Sequence, residues 1–243
     1  MNISAGLSVE TGEIDETDKD TDTRSNLVIA VDGPSGSGKS SASRGAAKAL
    51  GLRYLDTGAM YRALTWWLLE NGIDITDPEA VAKYSAEPRI EVGTDPAKPW
   101  TLVDGCEVSA EIRTREVTAA VSAVARVPQV REHLIGMQQD IIGRSDGIVA
   151  EGRDIGTVVA PNAQVKVFLT ADGAARASRR AEQASWSAAT TRVEQDRRDN
   201  MDAAQSGRAA DAVEIDSTAL SLDEVVDTIV RLARRVPSPR RNG

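Results

Sequence analysis

The 243-residue sequence contains one cysteine, Cys106, and one histidine, His133. A lone cysteine excludes an internal disulfide and any cysteine-based metal cluster. A lone histidine excludes His-rich metal sites and leaves little room for imidazole catalysis. No apolar run approaches the roughly 18–20 residues of a membrane span; the longest is Leu64-Thr65-Trp66-Trp67-Leu68-Leu69. The first residues are polar and acidic rather than basic then apolar, so no signal peptide is expected. Positive charge is in deficit, with 29 Lys and Arg against 37 Asp and Glu and a net charge of -8. That balance argues against a general nucleic-acid binder. Together these absences suggest a soluble protein of a reducing, cytoplasmic compartment. What is present, 41% hydrophobic and 27% charged residues, suffices for one large domain or two small ones with a real core.

The acidity is uneven. Seven acids between Glu10 and Asp22 face only Lys19 and Arg24, and the first 25 residues hold almost no large apolar side chain. Such a segment cannot offset its ordering entropy, so residues 1–25 are expected to be a disordered tail. The stretch Arg234–Gly243 has four arginines, two prolines and no acid, and residues 236–243 are expected to form a basic tail. The folded body then spans about 26–235.

Within that body the pattern alternates. Asn26-Leu-Val-Ile-Ala-Val-Asp32 is a continuous apolar run, as in a strand buried on both faces of a parallel sheet. A Gly/Ser turn, an Ala-rich helix to Leu50 and a helix-ending Gly51 follow. A short strand over 52–55 precedes a helix bearing Tyr61, Leu64, Trp67 and Leu68, the tryptophans being core residues. Residues 71–143 break the rhythm with a hairpin pairing 89–92 with 100–103, then helices over 113–126 and 129–142 split at Pro128. Strands at 148–150, 165–169 and 212–215 restore the alternation, with helices after the last two. This predicts a three-layer α/β/α fold with a central parallel sheet and one insert.

Gly33-Pro-Ser-Gly-Ser-Gly-Lys-Ser40 matches G-x-x-x-x-G-K-[ST] and lies between a predicted strand and a predicted helix. Its glycines let backbone N–H groups curl around phosphate oxygens at a helix N-terminus. Lys39 would reach the β- and γ-phosphates, and the Ser40 hydroxyl would ligate Mg²⁺. This is the pattern of a nucleoside triphosphate site in a P-loop NTPase fold. No N-K-x-D guanine-reading motif occurs, and the size is small for a mechanical ATPase. A small-molecule kinase also needs an acceptor site facing the γ-phosphate.

Two segments fit such a site. Asp56-Thr-Gly-Ala-Met-Tyr-Arg62 places Thr57 and Arg62 after a strand, at the sheet edge where ligands bind. Ile148-Val-Ala-Glu-Gly-Arg-Asp-Ile-Gly-Thr157 places Glu151, Arg153 and Asp154 after another. Arg153 can bridge anionic phosphates, and the nearby acid can accept from a base amino group or hold metal-bound water. The plain alternative for each is a capping turn with a structural ion pair.

With Glu-Ile-Arg-Thr-Arg-Glu-Val at 111–117 and Glu-Gly-Arg-Asp-Ile-Gly-Thr-Val-Val at 151–159, the sequence resembles the bacterial-type cytidylate kinases over about residues 28–235. The resemblance implies phosphoryl transfer from ATP to CMP or dCMP, with Mg²⁺, in a monomer that binds small nucleotides and neither nucleic acid nor membrane. It implies that Gly33, Pro34, Ser35, Gly36, Ser37, Gly38, Lys39, Ser40 and Ser41 hold ATP. Thr57 and Arg62 would meet the acceptor's ribose and phosphate, while Ser122, Arg131 and Asp154 would read its cytosine. Arg153 would lie among the transferring phosphates, and Arg113 is a further acceptor-side candidate. The insert at 71–143 would be the acceptor-binding region, and ~190–208 a helical lid. In that lid Arg198-Asp-Asn-Met-Asp202 fits the pattern, Arg198 acting in catalysis and Asp202 on the acceptor. Gln205 stands where the family has arginine, which makes Arg208 a replacement candidate.

The expected chemistry is in-line transfer to a phosphate oxygen that is already anionic, so no strong base is needed. Lys39, Arg153, Arg198 and Mg²⁺ would offset the phosphate charges. A P-loop kinase for another small acceptor and a non-catalytic nucleotide-binding module are the alternatives. Arg176, Arg179 and Arg180 fit either a phosphate contact or a solvated basic face. His133 reads as a packing or surface residue, and nothing marks Cys106 as reactive.

Overall fold

A computed structural model describes residues 26–184, 197, 200–202 and 206–237. The expected tail 1–25, much of the expected lid with Arg198 and Gln205, and residues 238–243 lie outside the described residues.

The chain opens with β1 (Leu27–Asp32), α1 (Lys39–Leu50), β2 (Arg53–Asp56) and α2 (Thr57–Glu70). Next come α3 (Pro78–Tyr84), β3 (Ile90–Val92), β4 (Thr101–Val103), β5 (Cys106–Glu107), α4 (Arg115–Val124) and α5 (Pro128–Gly143). It continues through β6 (Gly147–Gly152), β7 (Val165–Thr170), α6 (Gly173–Ala184), β8 (Val213–Asp216) and α7 (Leu222–Arg234).

β2, β6, β1, β7 and β8 lie side by side in that order, all parallel. β1 sits in the middle, and its apolar run is consumed on both faces. Leu27, Ile29 and Val31 join the core under α1 and α7, while Ala30 joins the core under α2 and α5. The same alternation splits Tyr54 from Leu55 on β2 and Val149 from Ile148 and Ala150 on β6. Truncating a fully buried Ile29 or Leu55 would cost about 2–5 kcal/mol. The sheet is therefore a closely packed platform beneath the loops at its C-terminal edge. The central parallel sheet with helices on both faces is the P-loop α/β fold that the sequence predicts.

Local signals set the helix ends. Gly51 closes α1 with φ 66°, and its N–H bonds back to the last turn. Asp56 caps α2 by accepting from the Ala59 N–H at 2.8 Å. Pro128 does not separate two helices from outside; it is the first residue of α5, where its missing N–H costs nothing. The expected helix 113–126 is two pieces, a 3₁₀ turn over Glu111–Arg113 and then α4, because Thr114 caps α4. Sequence reading missed α3, although Asp77 caps it and Pro78 opens it. It also missed β5, the third strand of the antiparallel β3–β4–β5 sheet.

The 71–143 segment leans back on the sheet instead of standing apart. The Tyr54 N–H donates to the Thr94 carbonyl at 2.9 Å, and Arg44 Nε donates to that of Pro96 at 3.2 Å. Trp66 and Trp67 pack partly buried against the core, with Trp67 Nε1 donating to Asp104. His133 is half-buried on α5, and Cys106 is exposed on β5.

Candidate active site

A cleft of about 760 Å³ opens at the C-terminal edge of the parallel sheet. One side is the Gly33–Ser41 loop. Gly33 cannot carry a side chain, since a Cβ would lie 2.1 Å from the Leu169 carbonyl oxygen. Gly38 caps α1 with φ 89°, a left-handed conformation that favours glycine. Three loop carbonyls are tied by side chains. Lys39 Nζ donates to the Pro34 oxygen at 3.2 Å, Arg176 Nη1 to that of Ser35 at 3.1 Å, and Arg179 Nη1 to that of Ser37 at 3.4 Å. The buried Ser217 hydroxyl also donates to the Ser37 oxygen, at 3.0 Å, while accepting from Arg179. Arg176 and Arg179 thus brace the loop rather than forming a solvated face; the Arg180 side chain lies outside the described residues.

Glu151 joins the loop to the sheet. Ser40 Oγ donates to its Oε2 at 3.0 Å, the Tyr54 hydroxyl donates to its Oε1, and Thr57 Oγ1 donates to its main-chain oxygen at 2.7 Å. Burial pushes the Glu151 carboxyl above its ordinary pKa, and the neighbouring Asp56 charge adds to the rise. Lys39 and the two hydroxyl donors oppose it. Burial likewise holds the Tyr54 hydroxyl well above the ordinary tyrosine value, with Glu151 adding to the rise, so it remains a donor.

Asp32, at the end of β1, accepts from the Ile155 and Gly156 N–H groups at 2.8 Å each. It thereby pins the π-helical turn Ile155–Val159 that follows Arg153 and Asp154. Burial raises its pKa to about 6, against the pull of those two N–H donors; Asp154 raises it further and Lys39 lowers it.

The acceptor candidates form ion pairs among themselves. Arg131 pairs with Asp154, and Arg153 pairs with Asp202 at 3.0 Å. Arg62 and Arg113 both reach Asp56, at 3.0 and 3.3 Å. Burial tends to raise the Asp56 pKa, but the two guanidiniums and the Ala59 N–H hold it below the ordinary value. Arg62 Nε is buried without a hydrogen-bond partner. Ser122, on α4, is also buried, and its hydroxyl has no partner.

The structure therefore brings Lys39, Ser40, Thr57, Arg62, Ser122, Arg131, Arg153, Asp154 and Asp202 to one cleft. Arg198 lies outside the described residues. Arg208 does not border the cleft; it pairs with Glu214 on β8. Thr57 has its hydroxyl proton committed to Glu151, so only its lone pairs face a ligand. Sequence reading named Glu151 only as part of a motif. It gave no site role to Asp32, Tyr54, Asp56 or Ser217, although the aspartates end their strands and Glu151 is the last residue but one of β6, all at the binding edge.

A phosphate loop on one wall and a set of paired arginines on the other define a phosphotransferase of the P-loop class. A model of the family described as "Cytidylate kinase" matches residues 29–235. A cytidylate kinase of Streptomyces griseus is 50% identical over 218 residues, covering 86% of this chain and 93% of that protein. One from Nocardia farcinica is 48% identical over 217 residues, covering 85% and 93%, and one from Mycolicibacterium paratuberculosis is 44% identical, covering 87% and 96%. The chain belongs to the cytidylate kinase family. No described helix is long and apolar enough to cross a membrane.

Proposed function

We propose that the chain transfers the γ-phosphoryl group of ATP to CMP or dCMP, giving CDP or dCDP, and that it works as a cytoplasmic monomer. The observation that carries the reading is the facing of the Gly33–Ser41 loop and the Arg131–Asp154 pair across one cleft, all from one chain. Neutral cytosine offers an acceptor at N3 beside an amino donor at N4. A guanidinium donor next to a carboxylate acceptor complements that edge. Uracil reverses both groups and would set donor against donor, so family membership and edge chemistry favour the same base.

The loop N–H groups would take the ATP phosphates, with Lys39 swinging from the Pro34 carbonyl to the transferring group. Arg62, Arg113 and Arg153 would exchange their carboxylate partners for the acceptor phosphate, and Asp202 would then turn to the acceptor. Arg198 is proposed as a further cation on the closing side. The nucleophile is a phosphate oxygen, anionic at neutral pH, so what the side chains supply is charge neutralisation and alignment rather than proton removal. Mg²⁺ fits the hard oxygen donors present, the Ser40 hydroxyl and the Glu151 carboxylate, which would hold it directly or through water. When bound it would neutralise part of the charge on the ATP phosphates. Glu151 keeps the Ser40 proton turned away, leaving the lone pairs of that hydroxyl for the cation.

The test is ADP release from Mg-ATP with CMP, dCMP, UMP, AMP or no acceptor. Strong preference for CMP and dCMP is expected. Equal rates with every acceptor would sink the base-reading assignment, and binding without turnover would point to a sensor.

A further inference from the structure

Thr118, Val121, Ser122 and Ala125 recur at intervals of three and four along and just beyond α4, so they share one face. All four line the cleft. Thr118 and Ser122 are only 5% and 2% exposed, and neither hydroxyl has a hydrogen-bond partner. The Thr118 N–H bonds to the Thr114 carbonyl as helix geometry requires, which leaves the side-chain oxygen as the unsatisfied group. A buried hydroxyl without a partner destabilises a fold, whereas an apolar side chain of the same shape does not. Val117, Ala120 and Val124 occupy the neighbouring buried positions of α4 without that cost. Two unsatisfied hydroxyls side by side on a cleft wall therefore point to a ligand that completes them.

The chemistry of the wall selects which part of the ligand. Val121 and Ala125 are apolar and the hydroxyls are neutral, so this face suits a flat, uncharged ring with a polar edge. Phosphate is matched elsewhere, by Arg62, Arg113 and Arg153. Tyr61, on α2 against which α4 packs, also lines the cleft. Burial pushes its hydroxyl up to about 12, so it too stays neutral, with Arg131 and Asp154 close enough to influence it.

We infer that Thr118 is a specificity-determining residue of the acceptor site, its hydroxyl hydrogen-bonding the polar edge of the pyrimidine base beside Ser122. This rests on the reading of the α4–α5 wall as the acceptor side. The hydroxyl is unsatisfied in the free protein and satisfied in the complex, so removing it has effects of opposite sign on stability and on binding.

The decisive variant is Thr118→Val, which keeps the shape and deletes the hydroxyl. Without ligand its Tm should rise by about 2–4 °C. The KM for CMP and for dCMP should rise about tenfold while the KM for ATP stays unchanged. Thr118→Ser should restore the KM, and Thr118→Ala should reproduce the KM defect. A merely structural threonine would move Tm and leave the acceptor KM alone. Ser122→Ala is the control for the wall itself. If it raises the CMP KM and Thr118→Val does not, the role of Thr118 is overturned and the wall assignment survives. If neither moves the CMP KM, the wall assignment fails with it. A lower Tm for Thr118→Val would overturn the premise of an unsatisfied hydroxyl.

Discussion

The two walls of the cleft spend their hydrogen bonds differently. On the donor side Arg176, Arg179, Lys39 and Ser217 all donate to main-chain carbonyls of the phosphate loop. Those bonds occupy loop carbonyls, and on the proposed assignment the loop N–H groups other than that of Ser37, which bonds to the Pro34 carbonyl at 3.4 Å, would be left for phosphate oxygens. On the acceptor side the charges bond to one another, Arg131 with Asp154, Arg153 with Asp202, and Arg62 and Arg113 with Asp56. An anionic ligand there must take a guanidinium from a carboxylate. On the proposed assignment the donor wall is built before ATP arrives, while the acceptor wall holds its cations in reserve. Such an arrangement would make acceptor binding an exchange of partners, which would favour selectivity over raw affinity.

That contrast can be broken by mutation, beginning with its strongest element. Lys39→Ala removes the loop cation, which donates to the Pro34 carbonyl and helps to lower the pKa values of Asp56, Glu151 and Asp32. The rate should fall about 10³-fold, with circular dichroism and melting close to wild type. Activity surviving that change would overturn the donor-side mechanism.

On the acceptor wall, Arg131→Ala strands the buried Asp154 carboxylate. The kcat/KM for CMP should fall about 10²-fold with the ATP KM unmoved. Steady-state titration of both substrates reads the split, and equal loss for both would erase the distinction between the walls.

Asp32 lies between the two, fastening the turn after Arg153. Its carboxyl accepts more strongly from the two N–H groups when ionised, and with a pKa of about 6 it protonates as the pH falls below that value. Asp32→Asn cannot titrate. The ratio of variant to wild-type kcat should therefore climb as pH falls from 7 to 5, by up to about tenfold, since about a tenth of such a carboxyl remains ionised at pH 5. Taking the ratio cancels the titration of the nucleotide phosphates. A flat ratio would remove Asp32 from the site. The stability sign is the reverse of the usual carboxylate: the folded pKa exceeds the unfolded one. The native state binds more protons, so this group's contribution is fully present below about 4 and is lost as pH rises through about 6.

The smallest effect belongs outside the cleft. Asp77→Ala removes the cap of α3, whose side chain accepts from the Glu79 N–H at 2.9 Å. The Tm should drop by about 2–4 °C, and a change in either KM would mean that α3 is coupled to the acceptor wall.

Much of this architecture is legible in order along the chain. The apolar run of β1, the glycines and Lys39 of the loop, and Gly51 at the end of α1 each carry their own local signal. The antiparallel pairing of Ile90–Val92 with Thr101–Val103 was readable because turn residues separate two short apolar runs. The helix Pro78–Tyr84 was missed despite its Asp-Pro start, since seven residues with one buried side chain, Val81, leave little periodicity to detect. Among site residues, Lys39 and Ser40 follow from spacing alone. Glu151 does not, because a carboxylate after a strand reads equally as a cap.

The sequence by itself determined the strand-loop-helix of the phosphate-loop motif and most of the alternation of strands and helices, because those depend on neighbours a few residues apart. Only the tertiary structure decided that Glu151 is held by Ser40 and Tyr54, 111 and 97 residues away. It also decided that Asp32 reaches across 123 residues to the Ile155 N–H, and that Thr118 and Ser122 are buried with hydroxyls unpartnered. The physical reason is that hydrogen-bond satisfaction and burial belong to the assembled sheet edge. No residue's own neighbourhood in the chain says which partner it will meet there, or that it will meet none until a ligand arrives.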